Sequence, residues 1–129
     1  MNIPALALIA APPDPLRYSL QALLARLPQI DSVQSVEDTR SMLAVLTATP
    51  PKLVVLDVNL SGDETRPVLP QIKTIAPRAR TVVLVDHIDQ QQALQATSAD
   101  LVLLKGYPAA DLFNIIERLL AQEDQSARQ

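Results

Sequence analysis

Apolar residues along this chain follow two alternating rhythms. Short apolar runs occur at Ala5–Ala11, Val33–Val36, Leu53–Val58, Thr81–Val85 and Leu101–Leu104. Several lack polar interruption, as strands buried on both faces of a parallel sheet do. Between the runs, apolar positions take helical spacing. Leu16, Leu20, Leu23, Leu24 and Leu27 share one face, and Asp14 followed by Pro15 is a helix-start signal. A second helix is predicted over Thr39–Ala48, burying Met42, Leu43, Val45 and Leu46 before Pro50-Pro51 end it. A third is expected over about Arg66–Ile75, where Pro67 suits the start and Pro70 limits how early the helix begins. The fourth is expected over Gln90–Thr97, with Asp89 as its cap. The fifth, Ala109–Ala121, carries an apolar stripe from Leu112 to Leu120 wide enough for a core face and part of a partner surface. Residues 1–122 then form the domain, and 123–129 a polar, frayed tail or linker stub.

Five strands alternating with five helices give a (βα)5 chain. Right-handed crossovers fold such a chain into a three-layer α/β sandwich with helices on both sheet faces. The flavodoxin-like parallel order 2-1-3-4-5 is the expected solution, and it places ligand chemistry at the carboxyl ends of the central strands.

Composition narrows the chemistry. A length of 129 residues suits one domain. Zero cysteines remove disulfides, thiolate catalysis and cysteine-based zinc, and a single histidine removes a His-rich metal site. A net charge of −3 and only two Tyr and one Phe argue against a nucleic-acid surface, which needs a basic stripe with stacking rings. With glycine only at Gly62 and Gly106, neither a Walker loop nor a dinucleotide fingerprint can be built. The apolar runs are too short to span a bilayer, and Pro12-Pro13 cut short an apolar start that has no basic region before it. A cytoplasmic protein without membrane contact is expected.

The residues at the predicted strand ends are the candidates for function. Pro12, Pro13 and Asp14 follow the first strand; Asp57, Val58 and Asn59 end the third; Val85 and Asp86 end the fourth; Lys105 ends the fifth. An acid and a lysine on different central strands would face each other across the crevice. An ion pair between Asp57 and Lys105 is therefore expected, because either charge alone there would be poorly compensated.

Three stretches carry a resemblance. They are Asp14-Pro15-Leu16-Arg17, the run Pro51-Lys52-Leu53-Val54-Val55-Leu56-Asp57-Val58-Asn59-Leu60-Ser61-Gly62, and Ser98-Ala99-Asp100-Leu101-Val102-Leu103-Leu104-Lys105. In this order the chain resembles the response-regulator receiver (CheY-like) domains of two-component signalling, over about Leu6–Leu120. The resemblance implies that Asp57 stands at the phosphoacceptor position and Lys105 at the invariant-type lysine. It places Asn59 beside the site, where the family's backbone carbonyl helps bind metal.

Three departures mark it as a degenerate, pseudo-receiver variant. The acidic pair that would hold a divalent cation is Pro12 and Pro13. Magnesium would bind only if Asp14 or backbone groups substituted, so no cofactor is expected, and Asp14 is better used as a helix cap. The hydroxyl expected at the end of the fourth strand is Val85, or Asp86 if the short segment before Lys105 has its gap elsewhere. The aromatic switch position is Val102.

The bland readings are a turn role for Asn59, a solvated His87 and a core Phe113. The resemblance thus implies a non-enzymatic signalling domain acting by protein contact, or self-association, through the fourth helix, fifth strand and fifth helix. The alternative is a conventional receiver phosphorylated on Asp57 by a histidine kinase. A flavodoxin-like enzyme or flavin binder is more remote, because the double proline contradicts a phosphate-binding turn after the first strand.

Overall fold

The computed structural model describes residues 4–62 and 65–127, with 123–127 described by backbone alone. Five parallel strands, β1 (Leu6–Ala10), β2 (Ser32–Val36), β3 (Leu53–Asp57), β4 (Arg80–Val85) and β5 (Leu101–Leu104), lie in the order 2-1-3-4-5. They alternate with α1 (Pro15–Leu24), α2 (Thr39–Ala48), α3 (Thr65–Ile75), α4 (Ile88–Leu94) and α5 (Ala109–Ala127). The expected fold class and strand order are those observed.

Two apolar layers sandwich the sheet. Period-two alternation sends Ala7, Ile9, Leu53, Val55, Val82, Leu84 and Leu103 to one face, where α1 and α5 cover them with Leu20, Leu24, Ile116 and Leu120. Leu8, Ala10, Val54, Leu56, Val83, Val85 and Val102 take the other face, under Met42, Leu46, Leu69, Ile72 and Leu94 of α2, α3 and α4. Strands β1, β3 and β4 are buried on both sides, which is why they read as unbroken apolar runs.

Several local expectations need correction. Helix α3 begins at Thr65 and carries Pro70 in its interior, not near its start. Burial of Val68, Leu69 and Ile72 outweighs the backbone hydrogen bond that proline cannot donate. Helix α4 begins two residues early, at Ile88, with His87 and not Asp89 at its cap position. There the Gln90 side chain reaches back to accept from the Asp86 and His87 N–H groups. Helix α5 continues to Ala127, past the expected end at Ala121, so the backbone of 123–127 is helical. The final two residues of that tail lie outside the described residues. On α2, Leu43 and Val45 are half-buried flanks, and only Met42 and Leu46 are buried with the capping turn's Thr39.

Candidate functional site

Alternation decides which side chains meet at the carboxyl edge. On β3, Asp57 shares the parity of Leu53 and Val55; beyond β4, Asp86 shares that of Val82 and Leu84; after β5, Lys105 shares that of Leu103. The register pairs Asp57 with Leu84 and Val85 with Leu104, so β4 and β5 end level with each other, one residue beyond the end of β3. Three neighbouring strands therefore deliver two acids and one lysine to the same side of the crevice.

Lys105 Nζ lies 2.8 Å from Asp57 Oδ1 and 3.1 Å from Asp86 Oδ1. Asn59 closes the ring. Its backbone N–H donates to Asp57 Oδ1 (2.8 Å) and its side-chain amide donates to Asp86 Oδ2 (2.8 Å). From behind, the backbone N–H groups of Asp86 and His87 both donate to Gln90 Oε1, at 2.9 and 3.0 Å. Asp57 is 1% exposed, and its Oδ2 is buried with no hydrogen-bond partner among the described residues.

The charges are mutually dependent. Hydrogen bonds from Asn59 and then Lys105 hold the Asp86 carboxyl below its usual range. For Lys105, desolvation lowers the pKa, but hydrogen bonds to Asp57 and Asp86 outweigh it and leave the ammonium favoured beyond its usual range. The expected Asp57–Lys105 ion pair is present.

Other expected site residues lie elsewhere or act differently. Val85 packs into the layer under α2, α3 and α4 with Val83 and Val102, so Asp86, not Val85, stands beside Asp57 and Lys105. Val102 is buried there too, its carbonyl accepting from Gln91 Nε2 (2.9 Å). Asn59 lies in the expected turn, closed by the Leu60 N–H donating to the Asp57 carbonyl (3.0 Å), and it also bridges the two acids. Asp14 Oδ1 accepts from the Arg17 N–H (3.0 Å), as a cap of α1. His87 is exposed. The role of Gln90 was not foreseen, although a glutamine three residues after a helix cap is a signal for it.

The divalent cation that the resemblance implies does not fit these residues. Pro12 and Pro13 follow β1 and offer no side-chain oxygen, Asp14 Oδ1 is committed to α1, and an ammonium lies against Asp57 Oδ1.

This architecture is the fold of response-regulator receiver domains, the CheY-like class, with an acid and a lysine at the ends of β3 and β5. No protein-family model matches the chain. Over 107 residues it is 27% identical to the Fimbriae Z protein of Salmonella typhimurium, covering 81% of this chain and 51% of that protein. The chain thus spans about half the length of that curated relative. A LuxR-family two-component response regulator from Aurantimonas sp. SI85-9A1 superposes with a TM-score of 0.78 at 24% identity, over 93% of this chain and 87% of that one. The response regulatory domain of protein mrkE from Klebsiella pneumoniae gives 0.81 at 18% identity, over 93% and 98%. A protein from a family of streptococcal redox sensors evolved from two-component response regulators gives 0.81 at 19% identity, over 96% and 54%. Among the described residues no helix is long and apolar enough to cross a membrane.

Proposed function

We propose that this chain is a receiver-type signalling module that works by protein contact and does not depend on magnesium-assisted phosphorylation of Asp57. One observation carries the reading: Lys105 is shared between Asp57 and Asp86, so the site is already ion-paired where a phosphoryl group and its cation would have to enter. A phosphoryl group on Asp57 would bring further negative charge beside Asp86. Phosphoryl transfer relies on neutralising such charge, and the positions that would hold the cation are prolines. The fold itself is compatible with other uses, since the streptococcal redox sensors share it. This chain has no cysteine, so it offers no thiol chemistry of its own.

Its output is a protein partner, or a second copy, docked on the face of α4, β5 and α5. Exposed Ile88 at the start of α4 and Tyr107 between β5 and α5 support that choice, at 52% and 43% exposure. Location in the cytoplasm and absence of enzymatic activity belong to the same reading. Incubation with acetyl phosphate and magnesium tests it, read by intact mass and by light scattering, with Asp57→Asn as control. No phosphoryl adduct and unchanged association are expected. An adduct lost in Asp57→Asn, or association only with the phosphodonor, overturns the reading in favour of a conventional receiver served by a histidine kinase.

A further inference from the structure

Charge is spread unevenly over this protein. Its net charge is −3, yet from Thr65 to Arg80 the chain carries Arg66, Lys73, Arg78 and Arg80 and no acid. Helix α3 turns Val68, Leu69 and Ile72 to the sheet and leaves Arg66 and Lys73 exposed, with Arg78 exposed just beyond its end. Three concavities follow one another along these cations. One of about 280 Å³ lies between the start of α3 and α4, and one of about 460 Å³ between α3 and the segment joining α4 to β5. A third, of about 220 Å³, lies between the end of α3 and the start of β4. Arg66 lines the first and second and Lys73 the second and third, so the three form one groove. Its opposite wall is neutral, with Ala93, Ala96, Thr97 and Ser98. Asp100 lines its far end but is committed: Oδ1 lies 3.3 Å from Arg80 Nη1, and Oδ2 accepts from the Thr81 N–H (2.8 Å). Arg66, Lys73 and Arg78 take part in no ion pair among the described residues.

We propose that this groove docks an extended acidic segment of a partner protein, with a carboxylate at about every third residue. Arg66 and Lys73 stand on one face of α3, separated by a rise of about 10.5 Å at about 1.5 Å per residue. One small anion cannot bridge that gap. An extended chain advances about 3.1–3.4 Å per residue, so acids three positions apart span about 9–10 Å and reach both cations. The exposed large apolar side chains, Tyr18, Ile88 and Tyr107, do not line the groove, so it offers neither a platform for stacking bases nor an anchor for lipid. No residue of β5 or α5 lines it either, which makes it a second contact surface, beyond the face of α4, β5 and α5.

The probe is a fluorescein-labelled peptide of repeated Asp-Pro-Ser triplets, titrated with the whole chain at about 0.15 M salt and read by polarisation. Saturable binding is expected, and none with asparagine in place of aspartate. Arg66→Glu with Lys73→Glu should weaken it at least about tenfold, and Arg66→Gln with Lys73→Gln by less. Arg26→Glu with Arg118→Glu makes the same change in net charge at exposed sites outside the groove and should weaken it less than about twofold. A peptide of the same composition with its aspartates adjacent should bind more weakly. Urea midpoints confirm that each variant is folded. No binding of the triplet peptide, equal losses in the two charge-reversed proteins, or equal binding of the adjacent-acid peptide overturns the proposal. A single-stranded oligonucleotide that binds more tightly than the peptide, and is lost with Arg66→Glu and Lys73→Glu, overturns it in favour of a nucleic-acid site.

Discussion

The crevice at the carboxyl edge has two sides, and they solve the end of a strand differently. Beside β3, β4 and β5, the chain ends its strands with charge. Asp57, Asp86, Lys105 and Asn59 bond one another, and Gln90 anchors the backbone behind them. Beside β1, the chain ends its strand with rings. Ala11 N–H still pairs with the Val36 carbonyl (3.1 Å), but Pro12 and Pro13 have no donor, and the next polar group, Asp14, serves only α1. The charged side is ordered by interactions whose members depend on one another, and the proline side by the stiffness of its covalent geometry. The positive charge beside Asp57 and Asp86 comes from β5, and among the described residues their polar side-chain contacts come from Asn59 and Lys105, not from the turn after β1.

The sharpest break of this contrast is to take the cation from the charged side. Without added metal, Lys105→Met leaves Asp57, almost fully buried, with no positive partner, and should cost about 3–5 kcal/mol by urea denaturation. Asp57→Asn should cost less, because Lys105 keeps Asp86. Equal, small losses for the two would show that the cluster is not coupled. Next comes the loop that joins β3 to the rest of the edge. Gly62 has φ of +112°, and a Cβ there would stand 2.8 Å from Thr39 Oγ1. The same loop is tied to α2 by the Thr39 N–H, which donates to the Ser61 carbonyl at 2.9 Å. Gly62→Ala should therefore destabilise by about 1–3 kcal/mol, measured in the same way.

Much of this was readable from the chain. The short apolar runs located all five strands, and Leu101–Leu104 and Thr39–Ala48 have the bounds the spacing predicts. Asp57 and Lys105 could be found because each ends an apolar run. Asp86 was harder. Matching the end of the fourth strand to a family pattern favoured Val85, yet counting alternation from Val82 and Leu84 puts Asp86 on the side of Asp57. Helix starts failed where local signals competed with burial or with side-chain reach. Pro70 did not stop α3, and Gln90 made His87 a workable cap position. Hydrophobic periodicity also has no way to flag Arg17, which lies among the leucines of α1 with its side chain 10% exposed, 3.3 Å from Glu37.

The pH dependence of stability sharpens the same contrast at smaller scale. Asp86 has its pKa lowered by folding, so its contribution is present above the ordinary value of 3.8 and is lost as pH falls through the folded value. Lys105 has its pKa raised, so its contribution is complete below the ordinary 10.5 and is lost as pH rises through the folded value. Stability should hold level between these limits and fall outside them. Asp86→Asn should flatten the acid limb and, by removing one of the lysine's two acids, pull the alkaline limb to lower pH. Urea midpoints across pH check both, and an unchanged acid limb would place Asp86 outside the network.

The smallest effect is expected from the prolines, and it tests whether the two sides are independent. Pro12→Ala and Pro13→Ala remove no hydrogen bond donor and no charge; they add freedom to the unfolded chain. Each should cost about 0.4–1 kcal/mol, mostly through the unfolded state. The decisive quantity is the coupling of Pro12→Ala with Lys105→Met in a double-mutant cycle. If the charged side is balanced within itself, the two losses add to within about 0.5 kcal/mol. Coupling above about 1 kcal/mol would mean that the rigid turn after β1 helps hold Asp57 and Lys105 together. The prolines would then be part of the charged site's construction and not a separate end of β1 stiffened by its own covalent geometry.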